Sequence, residues 1–373
     1  MNRKGAILVL LLLVVLAGTG FIARSAGPTI VPLLDTPQNR VYYETLLSEV
    51  DRAESSIKVV MATAEFYPDY PDGLQRRIYR ALSRAADRGT EVSIILDTSE
   101  WSEEITAGNR QTADRLRDLG LSVKFDDPAV TTHAKVVVID ESVTLLGSSN
   151  WNYPTYVDTY QSGLMVRDTR IGKYLGHFFD SLWKGDPFTE IVPPALEDEQ
   201  ALIPLVSFGE SRTYFSVTKE LLSGAGESID IVLFKLVRYS GFSGSFSNQL
   251  LDELEEAANR GVEVRIVLDV NTWSEELNED NRETALWLLG RGIESVRFDS
   301  LEHTTHSKVV VVDEKNVLTG STNWSYYALA GNTEVDFLVK GSPRVAKVFK
   351  GYFEDIWARA ETPTREELSG KLW

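Results

Sequence analysis

Two histidines and two lysines recur at one register. His133-Ala-Lys135-Val-Val-Val-Ile-Asp140 returns as His306-Ser-Lys308-Val-Val-Val-Val-Asp313, an offset of 306 − 133 = 173. Residues two apart on a strand face the same side, so each His projects with its Lys. Six residues after each Asp comes a small polar turn, Gly147-Ser148-Ser149-Asn150-Trp151 and Gly320-Ser321-Thr322-Asn323-Trp324. A phosphodiester needs cations and hydrogen-bond donors on its non-bridging oxygens, an in-line nucleophile, and an acid for the leaving oxygen. Lys135, Lys308, Asn150 and Asn323 suit the first need, with Ser148 and Ser321 as further candidates. Two imidazoles suit the others, because the neutral ring attacks and the cation donates near neutral pH. The lysines supply the positive charge, so this chemistry calls for no metal and no cofactor. The chain has 4 histidines. His303 reads as an exposed loop residue and His177 as a helix-face residue.

The elements that must position these residues are themselves repeated. Ser56–Met61 matches Ser228–Leu233, Arg88–Asp97 matches Arg260–Asp269, and Val123–Asp126 matches Val296–Asp299. Trp101-Ser-Glu-Glu104 matches Trp273-Ser-Glu-Glu276, and Phe179–Trp183 matches Phe353–Trp357. A period near 173 is too long for a solenoid and indicates a duplicated domain. Leu74, Ile78, Ala81, Leu82 and Ala85 have helical spacing ending at Gly89. The apolar runs 57–61, 92–96, 135–139 and 143–146 suit strands buried on both faces. Each unit reads as helix, strand, helix, strand, helix, three strands and a helix, an α/β layered fold. The acidic, Pro-rich stretch Ile191–Gln200 separates the units. The expected divisions are 37–187 and 205–360, with 188–204 as linker. Repetition of Trp101 and Trp273 predicts packing in the core or between units. Trp151, Tyr153 and Tyr156, with Trp324, Tyr326 and Tyr327, follow the polar turns and suit either a lipid-facing mouth or the core.

The N-terminus is set apart. Arg3 and Lys4 precede the apolar stretch Gly5–Ala23, just long enough to span a bilayer, and Arg24 closes it. Residues 1–24 read as a signal peptide or an N-terminal membrane anchor, with the body carried out of the cytoplasm, secreted or held at the cell membrane. The net charge of −17 argues against a dedicated nucleic-acid binder, although an acidic body can hold a basic cleft. With Cys at 0, disulfides and thiolate catalysis are excluded.

The pattern His-x-Lys-x-x-x-x-Asp, followed after six residues by Gly-Ser-x-Asn, resembles the signature of the phospholipase D superfamily, and both copies match in full. The resemblance implies two phospholipase D-like α/β units, each a β-sheet flanked by helices, meeting at a pseudo-twofold axis with one active site between them. It implies a phosphohistidine intermediate, with His133 as nucleophile and His306 as general acid. His133, Lys135, Asp140, His306, Lys308 and Asp313 form the motif set, in which the aspartates support the fold and local hydrogen bonds. A further likeness lies in Asn332-Thr-Glu334-Val, whose Glu would orient a catalytic His. The first unit has Gln161 there (334 − 161 = 173). If each reaches across the axis, Glu334 serves His133 and Gln161 serves His306.

The leading expectation is a phospholipase D-type phosphodiesterase that hydrolyses phospholipids at a membrane surface. Two rivals share the signature. One is an exported, metal-independent endonuclease, which would need Lys124, Lys235, Arg238 and Arg297 gathered at the cleft. The other is a cardiolipin synthase-like phosphatidyltransferase. Both motifs lie in one chain, so a monomer is expected to be active.

Overall fold

The computed structural model describes residues 29–67, 73–98, 100–188, 201–363 and 368. The expected signal or anchor, 1–24, and most of the expected linker lie outside them.

The first unit opens with β1 (Thr29–Asp35), α1 (Val41–Arg52), β2 (Ser56–Met61), α2 (Leu74–Asp87) and β3 (Glu91–Leu96). It continues with α3 (Glu103–Asp118), β4 (Ser122–Phe125), β5 (Lys135–Ile139) and β6 (Val143–Gly147). It closes with α4 (Tyr153–Val157), β7 (Thr159–Arg167) and α5 (Thr169–Lys184). The second unit repeats this as β8 (Ala201–Ser207), α6 (Thr213–Ser223), β9 (Ser228–Leu233), α7 (Phe246–Asn259) and β10 (Glu263–Leu268). Then come α8 (Glu275–Gly290), β11 (Val296–Phe298), the two-residue β12 (Thr304–Thr305), β13 (Lys308–Val312) and β14 (Asn316–Gly320). The last elements are α9 (Tyr326–Ala330), β15 (Glu334–Lys340) and α10 (Pro343–Arg359).

Each unit is a mixed sheet. The first runs β1-β7-β6-β5-β2-β3-β4 and the second β11-β10-β9-β13-β14-β15-β8. Strands β2, β3 and β4 are parallel, while β5, β6 and β7 are antiparallel to their neighbours. The motif strands β5 and β13 are buried along their whole length, as strands covered on both faces must be. Two corrections concern the boundaries. Strand β1 lies upstream of the expected start at 37, and β8 begins inside the expected linker 188–204. Both contain a proline, Pro32 and Pro204, which reads against a strand in a bare sequence. Both are outermost strands, where a missing N–H is tolerated.

Three apolar cores result. Each unit has its own outer core, one around Leu46, Ile78 and Trp151 and the other around Leu250, Leu288 and Trp324. The third is shared by both sheets and by α5 and α10, through Val136, Phe178, Val309, Phe349 and Phe353. Each fully buried Phe contributes about 2–3 kcal/mol, so this shared core fixes one unit against the other. Main-chain contacts complete the join. Thr304 and Thr305 of β12 pair with Thr159 and Tyr160 of β7, and Thr132 bridges to Thr333.

The repeated Trp-Ser-Glu-Glu motif proves to be a helix start. Ser102 and Ser274 cap α3 and α8, each accepting from the backbone N–H three residues on, with acidic residues in the first turn. The tryptophans precede the caps and lie outside, Trp101 62% and Trp273 65% exposed, which corrects the expectation that they pack. Trp151 and Trp324 are fully buried, Tyr156 is buried, and Tyr153, Tyr326 and Tyr327 are exposed.

Candidate active site

Every motif side chain except the two aspartates reaches one edge of its sheet. That edge holds the C-terminal ends of β2, β3 and β6 and the starts of β5 and β7. The polar turn leaves β6 under tight steric control. A Cβ on Gly147 would stand 2.3 Å from the carbonyl oxygen of Ser162, and one on Gly320 would stand 2.3 Å from an Asp336 carboxylate oxygen. Only glycine fits either position.

The two units hold each other's histidines. The backbone N–H of His133 donates to Thr333 O at 2.9 Å, and that of His306 to Tyr160 O at 3.0 Å. The imidazoles follow the same rule. His133 Nδ1 lies 3.1 and 3.0 Å from the Glu334 carboxylate oxygens, and His306 Nδ1 lies 3.1 Å from Gln161 Oε1. Glu334 is fully buried, so a ring N–H on His133 meets a fixed carboxylate. Nδ1 is thereby occupied on both rings, which leaves Nε2 for chemistry.

Ser148 Oγ donates to Gln161 Oε1 at 2.6 Å, and Ser321 Oγ to Glu334 Oε2 at 2.5 Å. Both serines therefore brace the groups that orient the histidines. Asn332 Nδ2 adds a bond to Glu334 Oε1 at 3.1 Å. The lysines fold back on their own motif, with Lys135 Nζ 2.5 Å from His133 O and Lys308 Nζ 2.7 Å from His306 O. Asn150 and Asn323 are half-buried, and their Oδ1 atoms are buried without hydrogen-bond partners.

Asp140 and Asp313 stand elsewhere and do not belong with the catalytic set. They follow the far ends of β5 and β13, about 16 Å along the strand from the lysines. Both have positive φ, 51° in each case. Asp140 accepts the backbone N–H groups of Glu54, Ser55 and Ser56 and the Ser55 hydroxyl. Asp313 accepts those of Gly226, Glu227 and Ser228. Partial burial pushes both carboxyls up, but these N–H groups outweigh it and hold both below the usual carboxylate range.

Burial dominates the electrostatics of the site. It pushes Lys135 down to about 8, against the pull of Glu334, Asp97 and Asp336. Burial and then the Lys135 charge push Lys308 well below the ordinary lysine value. His306 is pushed well below the ordinary histidine value by burial, then by Lys308, Lys135 and His133. Burial lowers His133 too, but there the Glu334 carboxylate opposes the fall.

Sequence reasoning missed a supporting layer. Asp97 accepts the Thr132 N–H at 2.7 Å and Asp269 that of Thr305 at 2.6 Å, one residue before each motif His. Buried Asn109 and Asn281 tie the loops after β2 and β9 to those after β3 and β10. Their repetition was the available signal.

The remaining candidates have other partners. His177 is exposed, and His303 Nδ1 lies 2.5 Å from Asp158 Oδ1. Lys235 pairs with Asp280 and Glu276, Arg238 covers the Trp287 ring, and Lys124 and Arg297 cover Trp183 and Trp357. Each basic side chain is thus engaged within its own unit.

The family model described as "Cardiolipin synthase, PLD-like domain" matches residues 46–183 and 218–357. Cardiolipin synthase A from Buchnera aphidicola subsp. Baizongia pistaciae is 25% identical over 321 residues, 79% of this chain and 63% of that protein. Cardiolipin synthase A from Shigella boydii serotype 4 is 23% identical over 356 residues, 88% of this chain and 69% of that protein. The chain thus spans about two thirds of the length of these curated relatives. Phosphatidylserine synthase from Haemophilus influenzae Rd KW20 shares the fold, with a TM-score of 0.67 at 12% identity over 89% of this chain and 87% of that one. The two repeated units, the paired His-x-Lys motifs and these matches place the chain in the cardiolipin synthase, phospholipase D-like domain family of the phospholipase D superfamily.

Proposed function

We propose that the protein is a phosphatidyl-transfer enzyme of the cardiolipin synthase type. The observation that carries this reading is the pair of histidines held across the unit boundary by unequal partners, a carboxylate on one and an amide on the other. His133, paired with Glu334, is the nucleophile. Its Nε2 attacks the phosphorus of a phospholipid, the bond from phosphorus to the headgroup oxygen breaks, and that oxygen takes the proton of His306. In the second half, an acceptor hydroxyl gives its proton to His306, its oxygen attacks phosphorus, and the P–N bond to His133 breaks. Lys135 and Lys308 offset the charge on the non-bridging oxygens in both halves.

The names of the relatives support transfer to an alcohol over hydrolysis, which reverses the order expected from sequence. Cardiolipin carries two phosphatidyl groups on one glycerol, so its formation by transfer joins a phosphatidyl group to the free hydroxyl of phosphatidylglycerol. The apolar stretch 5–23 supports a body held at a membrane surface. One chain supplies both histidines and suffices for activity.

The deciding experiment offers purified protein phosphatidylglycerol vesicles, with plasmid DNA in a parallel tube. Cardiolipin and free glycerol are the expected products, with the plasmid intact. His133→Ala should lower the rate by at least ~10³ and abolish trapping of a phosphorylated enzyme. Phosphatidic acid as the only lipid product would establish hydrolysis in place of transfer, and a nicked plasmid would establish the nuclease.

A further inference from the structure

The two halves of the site also differ beside His306. The Phe234 ring meets the His306 ring edge-on, with centroids 4.7 Å apart and planes at 66°. Trp273 stacks on Phe234 at 6.0 Å and 21°. Its indole N–H donates to the Thr304 hydroxyl at 3.4 Å, and Lys308 Nζ stands 4.9 Å from the Phe234 centroid. Trp273 nevertheless remains 65% exposed. The His133 side lacks this wall, because Ala62 takes the place of Phe234 (234 − 62 = 172) and offers no ring. Trp101, the counterpart of Trp273, is there without it.

The position of this wall fixes its chemistry, given the roles assigned above to His133 and His306. In an in-line displacement the leaving oxygen departs opposite the attacking nitrogen, and so beside the general acid. The alcohol that leaves and the alcohol that enters both occupy the His306 side, against Phe234 and Trp273. An aromatic face packs on the C–H groups of a polyol, while the Thr304 hydroxyl, which accepts from the indole N–H, keeps its own proton to donate to a polyol hydroxyl. The same apolar face gives a lone water little to hold.

We propose that Phe234, Trp273 and Thr304 form the alcohol subsite, selecting a glycerol-type polyol headgroup both as leaving group and as acceptor. It rests on the transfer reading for its acceptor role and on His306 as the acid for its place.

The test is internal competition. Vesicles with equal amounts of phosphatidylglycerol and phosphatidylmethanol are given to the full-length protein, and release of free glycerol and of methanol, which counts donor events alone, is followed by mass spectrometry. The ratio of the two rates is the ratio of kcat/KM values, independent of how much enzyme is folded. Wild type should favour phosphatidylglycerol. Trp273→Ala should lower that preference about five- to tenfold, the size of one lost stacking contact, and Trp273→Phe should keep most of it. Trp101→Ala should leave the preference within about twofold. A wild type indifferent to the headgroup, a preference unmoved in Trp273→Ala, or an equal shift in Trp101→Ala would each overturn the subsite. Cardiolipin formation with an unmoved preference removes the subsite alone. Phosphatidic acid as sole product, with the preference still sensitive to Trp273, removes the transfer reading and keeps the subsite for the leaving group. Consumption of neither lipid removes both.

Discussion

At the scale of single residues, the difference between a carboxylate and an amide divides the labour of the two histidines. A carboxylate on the His133 ring N–H stabilises the cation and fixes the tautomer, while the Gln161 amide orients His306 and lets its proton go. Glu334→Gln should therefore cost far more activity than Gln161→Glu. Gln161→Glu should move the basic limb of the pH–rate profile upward, because the acid then holds its proton to higher pH. Equal losses with unshifted limbs would make both residues merely structural. The free site also carries more positive potential than it can hold, since burial and mutual repulsion depress Lys308 and His306. An anion entering between the lysines lifts these values, so its binding takes up protons. Affinity is then highest at low pH and falls as pH rises above the free-state values, about tenfold per unit for each proton taken up. Binding of tungstate, titrated calorimetrically in buffers of different ionisation enthalpy, should show net proton uptake; zero uptake at every pH would mean the site is already charged. The histidines, lysines and turns were legible in sequence because duplication doubled the signal. The serine braces were not, because a Gly-Ser-x-Asn turn does not reveal whether its hydroxyl faces a ligand or a neighbouring side chain.

At the scale of elements, the motif aspartates act as clasps. Asp140 and Asp313 close the turns after β5 and β13 onto the starts of β2 and β9. Asp140→Gly should cost about 2 kcal/mol of stability, the worth of a few bonds to a partly exposed carboxylate. Asp140→Ala should cost about 1 kcal/mol more, because a Cβ strains the left-handed backbone. Neither should change turnover per folded molecule at 25 °C. The sign of the pH effect follows from the lowered carboxyl. Its stabilisation is present above the unfolded value of 3.8 and fades as pH falls through the lower folded value, so the wild-type and variant melting curves should converge in acid. Loss of activity without loss of stability would return Asp140 to the catalytic set. Periodicity revealed the helices and buried strands, whereas β1 and β8 were hidden by Pro32 and Pro204. In the Trp-Ser-Glu-Glu repeat the tryptophan suggests packing, while the signal that matters is the serine cap beside it.

At the scale of the whole molecule, duplication was plain from an offset that stays between 172 (228 − 56) and 174 (353 − 179), but the interlocking of the halves was not. Whether Glu334 reaches its own unit's histidine or the other's depends on how two sheets meet. That is set by the shared core around Phe178, Phe349 and Phe353. One consequence concerns orientation. In the register of β1 with β7, Asp35 pairs with Gln161 at the catalytic edge, and Thr29 pairs with Arg167 at the other end, about 20 Å away. Whatever precedes Thr29 is joined to the body on the side opposite the cleft. The four residues between Arg24 and Thr29 reach at most about 15 Å when fully extended. A body moored by the stretch 5–23 would hang from its bilayer with the active site turned away, its own leaflet out of reach. Inserting a flexible segment of about 30 residues after Arg24 should raise turnover in the vesicles that carry the protein. Turnover on separate vesicles added from outside should stay the same. If both rates stay the same, the short tether does not govern access, and the native orientation already presents the cleft to lipid.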